Sequence, residues 1–223
     1  RNDYEDSDDD YDDDYDDDDE NDKFEIKDGV CIIPEGTTEI GDYAFDSFDE
    51  LTSIVIPNSV TSIGSGAFEA CIGLTSIEIP NSVTKIDDSA FQDCNGLTSV
   101  VIPNSVTEIG DSAFANQKTI TTIKIPDTVT DIGNDAFSGC TALKEIEIPA
   151  KVTVLRDRLF NGCTSLIEVI LNEGLTSINR FAFLGCSNLE KITLPDSVTH
   201  LGYDIFDGCM KLTSINLPKN LTV

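Results

Sequence analysis

Leu51-Thr52-Ser53-Ile54-Val55-Ile56-Pro57-Asn58-Ser59-Val60-Thr61 returns, with small edits, from Leu74, Leu97, Ile120, Leu143, Leu166, Leu189 and Leu212. The starts are 23 residues apart every time, with no insertion. A fixed period in the twenties is the mark of a solenoid, whose short units bury their apolar faces only against the units before and after. Such a chain offers a long repeated surface more readily than one pocket.

Within a copy, counting the Leu as position one, positions one, four and six are aliphatic, as in Leu74, Ile77 and Ile79. That pattern predicts a short strand with those side chains inward and positions two, three and five outward. Pro at position seven ends the strand, because it cannot donate to a ladder, and Pro-Asn-Ser predicts a turn. Position eleven is Thr throughout (Thr38, Thr61, Thr84 and onward), which predicts a second extended stretch with the Thr inward and its hydroxyl bonded to backbone or to the next Thr. Position fourteen is mostly Gly (Gly41, Gly64, Gly110, Gly133, Gly202), with Asp87, Asn179 and Arg156 as substitutes, and predicts a left-handed turn there. Asp42, Ser65, Asp88 and Asp111 follow at position fifteen as N-cap types, so a single helical or 3₁₀ turn is expected before the Ala-Phe pair.

Position eighteen is Phe in all eight full copies, from Phe45 to Phe206. Burying one Phe contributes about 1.5–3 kcal/mol, so a stacked column of these rings is the expected main source of stability. Six of the seven cysteines fall at position twenty-one, where Gln117 and Phe48 stand in two copies. A file of small buried thiols explains that spacing, and in-register neighbours meet disulfide geometry poorly.

Residues 1–23 are a different polymer, with thirteen Asp and two Glu against Arg1 and Lys23. They carry −13 of the net charge of −28. Disorder is expected, because the segment has too little apolar surface to offset its ordering entropy. A solvating linker, weak calcium binding and attraction of a basic partner are the functions open to it. Residues 24–50 read as a capping hairpin, turned at Asp28-Gly29, and a first coil; residues 51–223 read as the repeats. The last copy is cut short at Val223, which points to an excerpt of a longer protein. Its strand near Leu212–Leu217 is expected to leave an unpaired edge, open to self-association or to further repeats.

The charge excludes nucleic acid as a partner, since phosphate binding needs basic surface, and no apolar run is long enough to span a bilayer. Catalytic residues, metal ligands and cofactors are not expected. His200 is the one histidine and occupies a variable, polar position, and no Cys-x-x-Cys or isolated carboxylate pair appears. Binding is then sought where copies depart from the common pattern. The early strands present Thr52, Ser53, Thr75 and Ser76, whereas the copies from Leu143 and Leu166 present Lys144, Glu145, Glu147, Ile167, Glu168 and Ile170. Two aliphatic side chains amid charges resemble an apolar anchor with a polar rim. Cross-strand pairing of Lys124 with Glu147 and of Glu168 with Lys191 is the competing explanation for part of that charge. A second departure gathers Arg156, Arg158 and Arg180 near Phe181 and Tyr203, a set suited to carboxylate or sulfated ligands or to the acidic tail.

The pattern Leu-x-x-Ile-x-Ile-Pro-x-x-Val-Thr-x-Ile-Gly-x-x-Ala-Phe-x-x-Cys, carried by Pro57, Gly64, Ala67, Phe68 and Cys71 and their equivalents, resembles the BspA-like class of leucine-rich repeats from about Gly29 to Val223. Asn172 for Pro, Leu159 and Ile205 for Ala, and Gln117 for Cys are departures that leave the fold intact. The resemblance implies an α/β, right-handed solenoid with a parallel sheet on one face and short helical or 3₁₀ turns on the other. It also implies an extracellular or cell-surface location and adhesion to a host-matrix or cell-surface protein or to a glycan. It brings no catalytic residues. A passive spacer and an intracellular interaction scaffold are the alternatives.

Overall fold

The computed structural model describes residues 24–222; the acidic segment 1–23, for which disorder is expected, and Val223 lie outside them. Each 23-residue repeat makes one coil of a parallel β-solenoid. On the front face Val30–Ile32 pairs with Ser53–Val55, Ser76–Glu78 with Ser99–Val101, and Glu145–Glu147 with Glu168–Ile170, which pairs on with Lys191–Ile192. A second ladder runs from Glu39–Ile40 through Asp131–Ile132, and a separate section joins Val154–Leu155, Ser177–Ile178 and His200–Leu201. Ile26–Lys27 lies antiparallel to Val30–Ile32 at the first coil. Asp28 (φ 51°) and Gly29 (φ 79°) make the tight turn between them, with the two left-handed residues that a type I′ hairpin demands.

The third side corrects three expectations. Among the described residues there is no helix, so the α/β class gives way to an all-β solenoid with turns on its back. The reason lies in the backbone donors. In the coil from Leu51, Ala67, Glu69 and Cys71 donate three residues back to Gly64, Gly66 and Phe68, but Gly66, Phe68 and Ala70 donate forward to Asp88, Ala90 and Gln92 of the next coil. Alternate N–H groups are thus committed between coils, and a helix, which needs them all internally, cannot form. Left-handed residues recur at positions sixteen and twenty, as in Tyr43 and Ser47, Ser89 and Asp93, or Asp135 and Gly139. Position fourteen is not among them. Its glycine is needed for space: a Cβ on Gly110 would lie 2.7 Å from the Asp88 nitrogen of the preceding coil. Position fifteen is a rung rather than an N-cap, since the carboxylates of Asp42, Asp88 and Asp111 accept from the backbone N–H of Ser65, Asp111 and Asn134.

The position-eleven threonines are exposed, against expectation, yet their hydroxyls bond backbone. The Thr61, Thr107, Thr130, Thr176 and Thr199 hydroxyls each donate to the carbonyl of the Thr one coil earlier. An outward side chain can do this because its own N–H already points at the same oxygen. Inside, the phenylalanines stack with ring planes within 12° from Phe45 to Phe206, and Phe24 adds a ring at the start, 5.3 Å from Phe45. Phe45 through Phe183 are fully buried and Phe206 is half-buried. The described cysteines are all buried and unbridged. At position twenty-one the sulfur ties neighbouring coils together, since Cys71, Cys94, Cys140, Cys163, Cys186 and Cys209 donate their thiols to the Phe carbonyl of the preceding coil at 2.8–3.1 Å.

The front ladder breaks between Ser53–Val55 and Ser76–Glu78, and a wider seam follows Val101. Early coils carry Gly at position twenty-three (Gly73, Gly96), and later ones carry it at position twenty (Gly139, Gly162, Gly185, Gly208). The first coil, with Ser47 and Glu50, and the coil that starts at Leu97, with Asn116 and Thr119, have neither. A Cβ on Gly96 would meet the Leu74 carbonyl at 2.8 Å, and Thr119, which has a Cβ, turns its hydroxyl onto the equivalent Leu97 carbonyl. Across this junction Ser99–Val101 has no strand partner, and the next coil keeps only the isolated bridge of Thr122 with Glu145. The second ladder breaks one coil later, where Arg156 replaces the space-making glycine. Ring spacing widens from 5.2–5.4 Å before the seam to 5.8 Å on either side of Phe137.

Candidate functional site

Parallel register sets the chemistry of the front face, because it brings equal positions of successive coils side by side. Glu145 stands opposite Glu168, which stands opposite Lys191, and Glu147 stands opposite Ile170. Ile167 is 41% exposed and Ile170 48%, held outward while Ile146 and Val169 point into the core. Neither anticipated ion pair forms: no cation lies within 4.0 Å of Glu147 or Glu168 among the described residues, although Lys191 is in register with Glu168. Lys144 and Glu145 are likewise exposed and outside any ion pair among the described residues. The missing strand at the seam leaves a groove of about 350 Å³ whose walls include Lys124, Glu145, Glu147, Glu168 and Ile170. Ile170 is also part of the wall of a shallower depression of about 210 Å³ towards Lys191.

The turn-side cluster assembles, but around partners of its own. Arg156 holds Asp131 with two bonds of 3.0 and 2.9 Å, Arg180 contacts Asp157 at 2.5 Å, and Arg158 lies 4.0 Å from Asp135. Arg158 also sits 5.5 Å above the Phe181 ring, Tyr203 meets that ring edge-on at 4.9 Å, and Arg180 donates to the Tyr203 hydroxyl at 3.1 Å. Burial lifts the Asp135 carboxyl above its ordinary range, and nearby Arg158 opposes that rise. Each guanidinium is therefore matched to a carboxylate one coil earlier, and the cluster offers a ligand little uncommitted charge.

The early front strands are less bland than their hydroxyls suggest. Position five presents Ile32 (68% exposed), Val55 (53%) and Val101 (69%), more open than either Ile167 or Ile170. The alternation in the sequence marks position five as outward, and the Thr and Ser at neighbouring outward positions mask the aliphatic residues it carries. The segment Leu212–Leu217 forms no strand, so the anticipated strand edge is absent. Asn216 explains this: its side chain donates to the Leu194 carbonyl at 2.7 Å and accepts from the Leu194 N–H at 2.9 Å, taking the groups a ladder would use. His200 is exposed on the second ladder. Among the described residues no cluster of three His, Cys, Asp or Glu is placed to hold a metal ion, and no helix is long and apolar enough to cross a membrane.

The crystal structure of a leucine-rich repeat protein from Bacteroides ovatus is similar over 86% of this chain, at 33% identity and a TM-score of 0.80. This chain spans about half of that protein, 52% of its length. The T. pallidum leucine-rich repeat protein TpLRR is 28% identical over 83% of this chain and 78% of its own, with a TM-score of 0.65. A leucine-rich repeat protein from Eubacterium ventriosum is 28% identical over 85% of this chain and 61% of its own, with a TM-score of 0.63. Among curated protein sequences none matches. The BspA type leucine rich repeat region matches in six copies, over residues 29–144 and 108–223. Period, Phe column, thiol file and these matches agree, and the chain belongs to the BspA-type leucine-rich repeat family, a protein-interaction fold.

Proposed function

We propose that this chain is a binding module of the cell surface or the extracellular space, an adhesin segment that recognises a host-matrix or cell-surface protein, or a glycan, through its front face. The observation that carries this reading is the pair Ile167 and Ile170, exposed three residues apart on one coil and bordered by Glu145, Glu147 and Glu168, which have no ion partner among the described residues. Exposed aliphatic groups within a charged rim supply binding energy when a partner covers them, and nothing in the fold needs them outside. Surface location is supported by the family resemblance. Binding rather than catalysis follows from a face of repeated small side chains and shallow grooves. The turn-side arginines rank second as a contact, because each is matched to its own Asp.

Ile167→Ser with Ile170→Ser tests this. Both side chains face solvent, so the variant folds, and its attachment to immobilised matrix proteins and to cells should fall at least about tenfold, the effect of losing a binding hot spot. Unchanged attachment removes the front-face patch as the contact.

A further inference from the structure

We propose that the seam groove takes an extended segment of a basic protein partner, with an aliphatic side chain laid against Ile170 between Lys or Arg residues. The proposal rests on the front-face reading above and gives it a partner chemistry. Its first support is the charge around the groove: Asp127, Glu145, Glu147 and Glu168 against Lys124 alone. Glu145 and Glu168 stand directly opposite each other in register, an arrangement of like charges that destabilises a sheet. Elsewhere this chain sets cations one coil apart from its acids, as Arg156 does with Asp131 and Lys219 with Asp196. At the groove Lys124 and Lys191 stand one coil from Glu147 and Glu168, yet among the described residues neither closes to ion-pair distance, so those carboxylates keep charge for a partner. Anionic partners, sulfated glycans among them, are repelled by the same carboxylates.

Shape gives the second support. The groove runs across the coils, with Lys124, Glu147 and Ile170 on its wall at the same outward position of three successive coils. A segment of about six extended residues covers roughly 20 Å, enough to cross four coils spaced about 4.8 Å apart, from Val101 to Ile170. Ile170, 48% exposed at the end of that span, is the apolar anchor.

The probe is a fluorescein-labelled ten-residue peptide alternating Lys with Val and Thr, titrated against the whole chain by fluorescence anisotropy at about 0.15 M salt. Glu145→Lys with Glu168→Lys should weaken binding by at least roughly tenfold, and Ile170→Ser by several-fold. Glu39→Lys with Glu108→Lys, which makes the same change of net charge on the second ladder, should leave it within about twofold. Equal weakening by both charge-reversed pairs reduces the binding to general attraction and overturns the proposal, as does tighter binding of a heparin oligosaccharide than of the peptide. If the peptide ignores the groove variants while the Ile167 and Ile170 substitutions still abolish attachment, the front-face reading stands and the basic partner is wrong. If the peptide binds in the groove while attachment survives those substitutions, the groove is real and the adhesive contact lies elsewhere.

Discussion

The Gln117 side-chain amide donates to the Phe91 carbonyl at 2.5 Å, the same bond that a thiol makes to a Phe carbonyl in six other coils. In these seven coils position twenty-one holds a buried donor, and a thiol supplies one on a small side chain that behaves largely as a hydrophobe, with no second polar atom. Gln117 does bring one: its Oε1 is buried without a partner, beside a small void lined by Phe114, Phe137 and Cys140. An unsatisfied buried acceptor costs about 1–3 kcal/mol. Gln117→Cys should accordingly raise the unfolding free energy by about 1–2 kcal/mol, read as a higher urea midpoint with an unchanged slope. A lower midpoint would show that the amide bond outweighs the stranded oxygen.

The column of rings makes a graded expectation. Phe114 is fully buried between two stacked neighbours, and Phe206 is half-buried with a single one. Phe114→Ala should cost about 3–5 kcal/mol and Phe206→Ala distinctly less. Chemical denaturation of the two variants decides it, and equal losses would deny that the column is the stabilising element.

Much of this was legible from the repeat itself. A strict period with Pro at seven, Phe at eighteen and Cys at twenty-one fixes the coil length, the inward set and the end of each strand, since each depends on one residue type doing one local job. The back of the coil departs from its local signals for a physical reason. Gly64 and Asp42 look like helix-initiating signals in a single stretch of chain, but their partners lie 23 residues away, and a next-coil acceptor outcompetes the helical one. The seam was visible as the absence of glycine from both Asn116 and Thr119, although its consequence for the front ladder depends on how closely neighbouring backbones approach. Whether Glu168 pairs with Lys191 rests on side-chain rotamers, about which register says little.

Glycine placement yields a pair of opposite substitutions. Ser112 adopts φ 55° with a half-exposed side chain, at the position where Gly66 sits with φ 59°. Ser112→Gly relieves a left-handed non-glycine and should stabilise by up to about 1 kcal/mol. Gly110→Ala, two residues earlier, places a Cβ 2.7 Å from the Asp88 nitrogen and should destabilise by more than about 1 kcal/mol. Thermal melts of both variants test the assignment: a destabilising Ser112→Gly would deny the left-handed turn at position sixteen, and a stabilising Gly110→Ala would deny the close approach of the coils at position fourteen.

Alkaline pH should unfold this protein through its thiols. Burial pushes the Cys71 thiol from 9.0 up to about 12, and it pushes Cys31, Cys94 and Cys163 up as well. Below pH 9 these groups are protonated in both states and leave the stability unchanged. Between pH 9 and 12 the unfolded chain releases protons that the folded chain keeps, so the folded state binds more protons and stability falls as pH rises. One such thiol contributes a slope of about 1.4 kcal/mol per pH unit, and several together steepen it. Urea midpoints at pH 7.5, 9, 10 and 10.5 should be level at first and then drop. Tyrosines and lysines also titrate in the upper part of that range, so the decisive comparison is Cys71→Ala, which should start less stable at pH 7.5 but lose less between pH 9 and 10.5. Parallel curves for the two proteins would assign the alkaline loss to other groups.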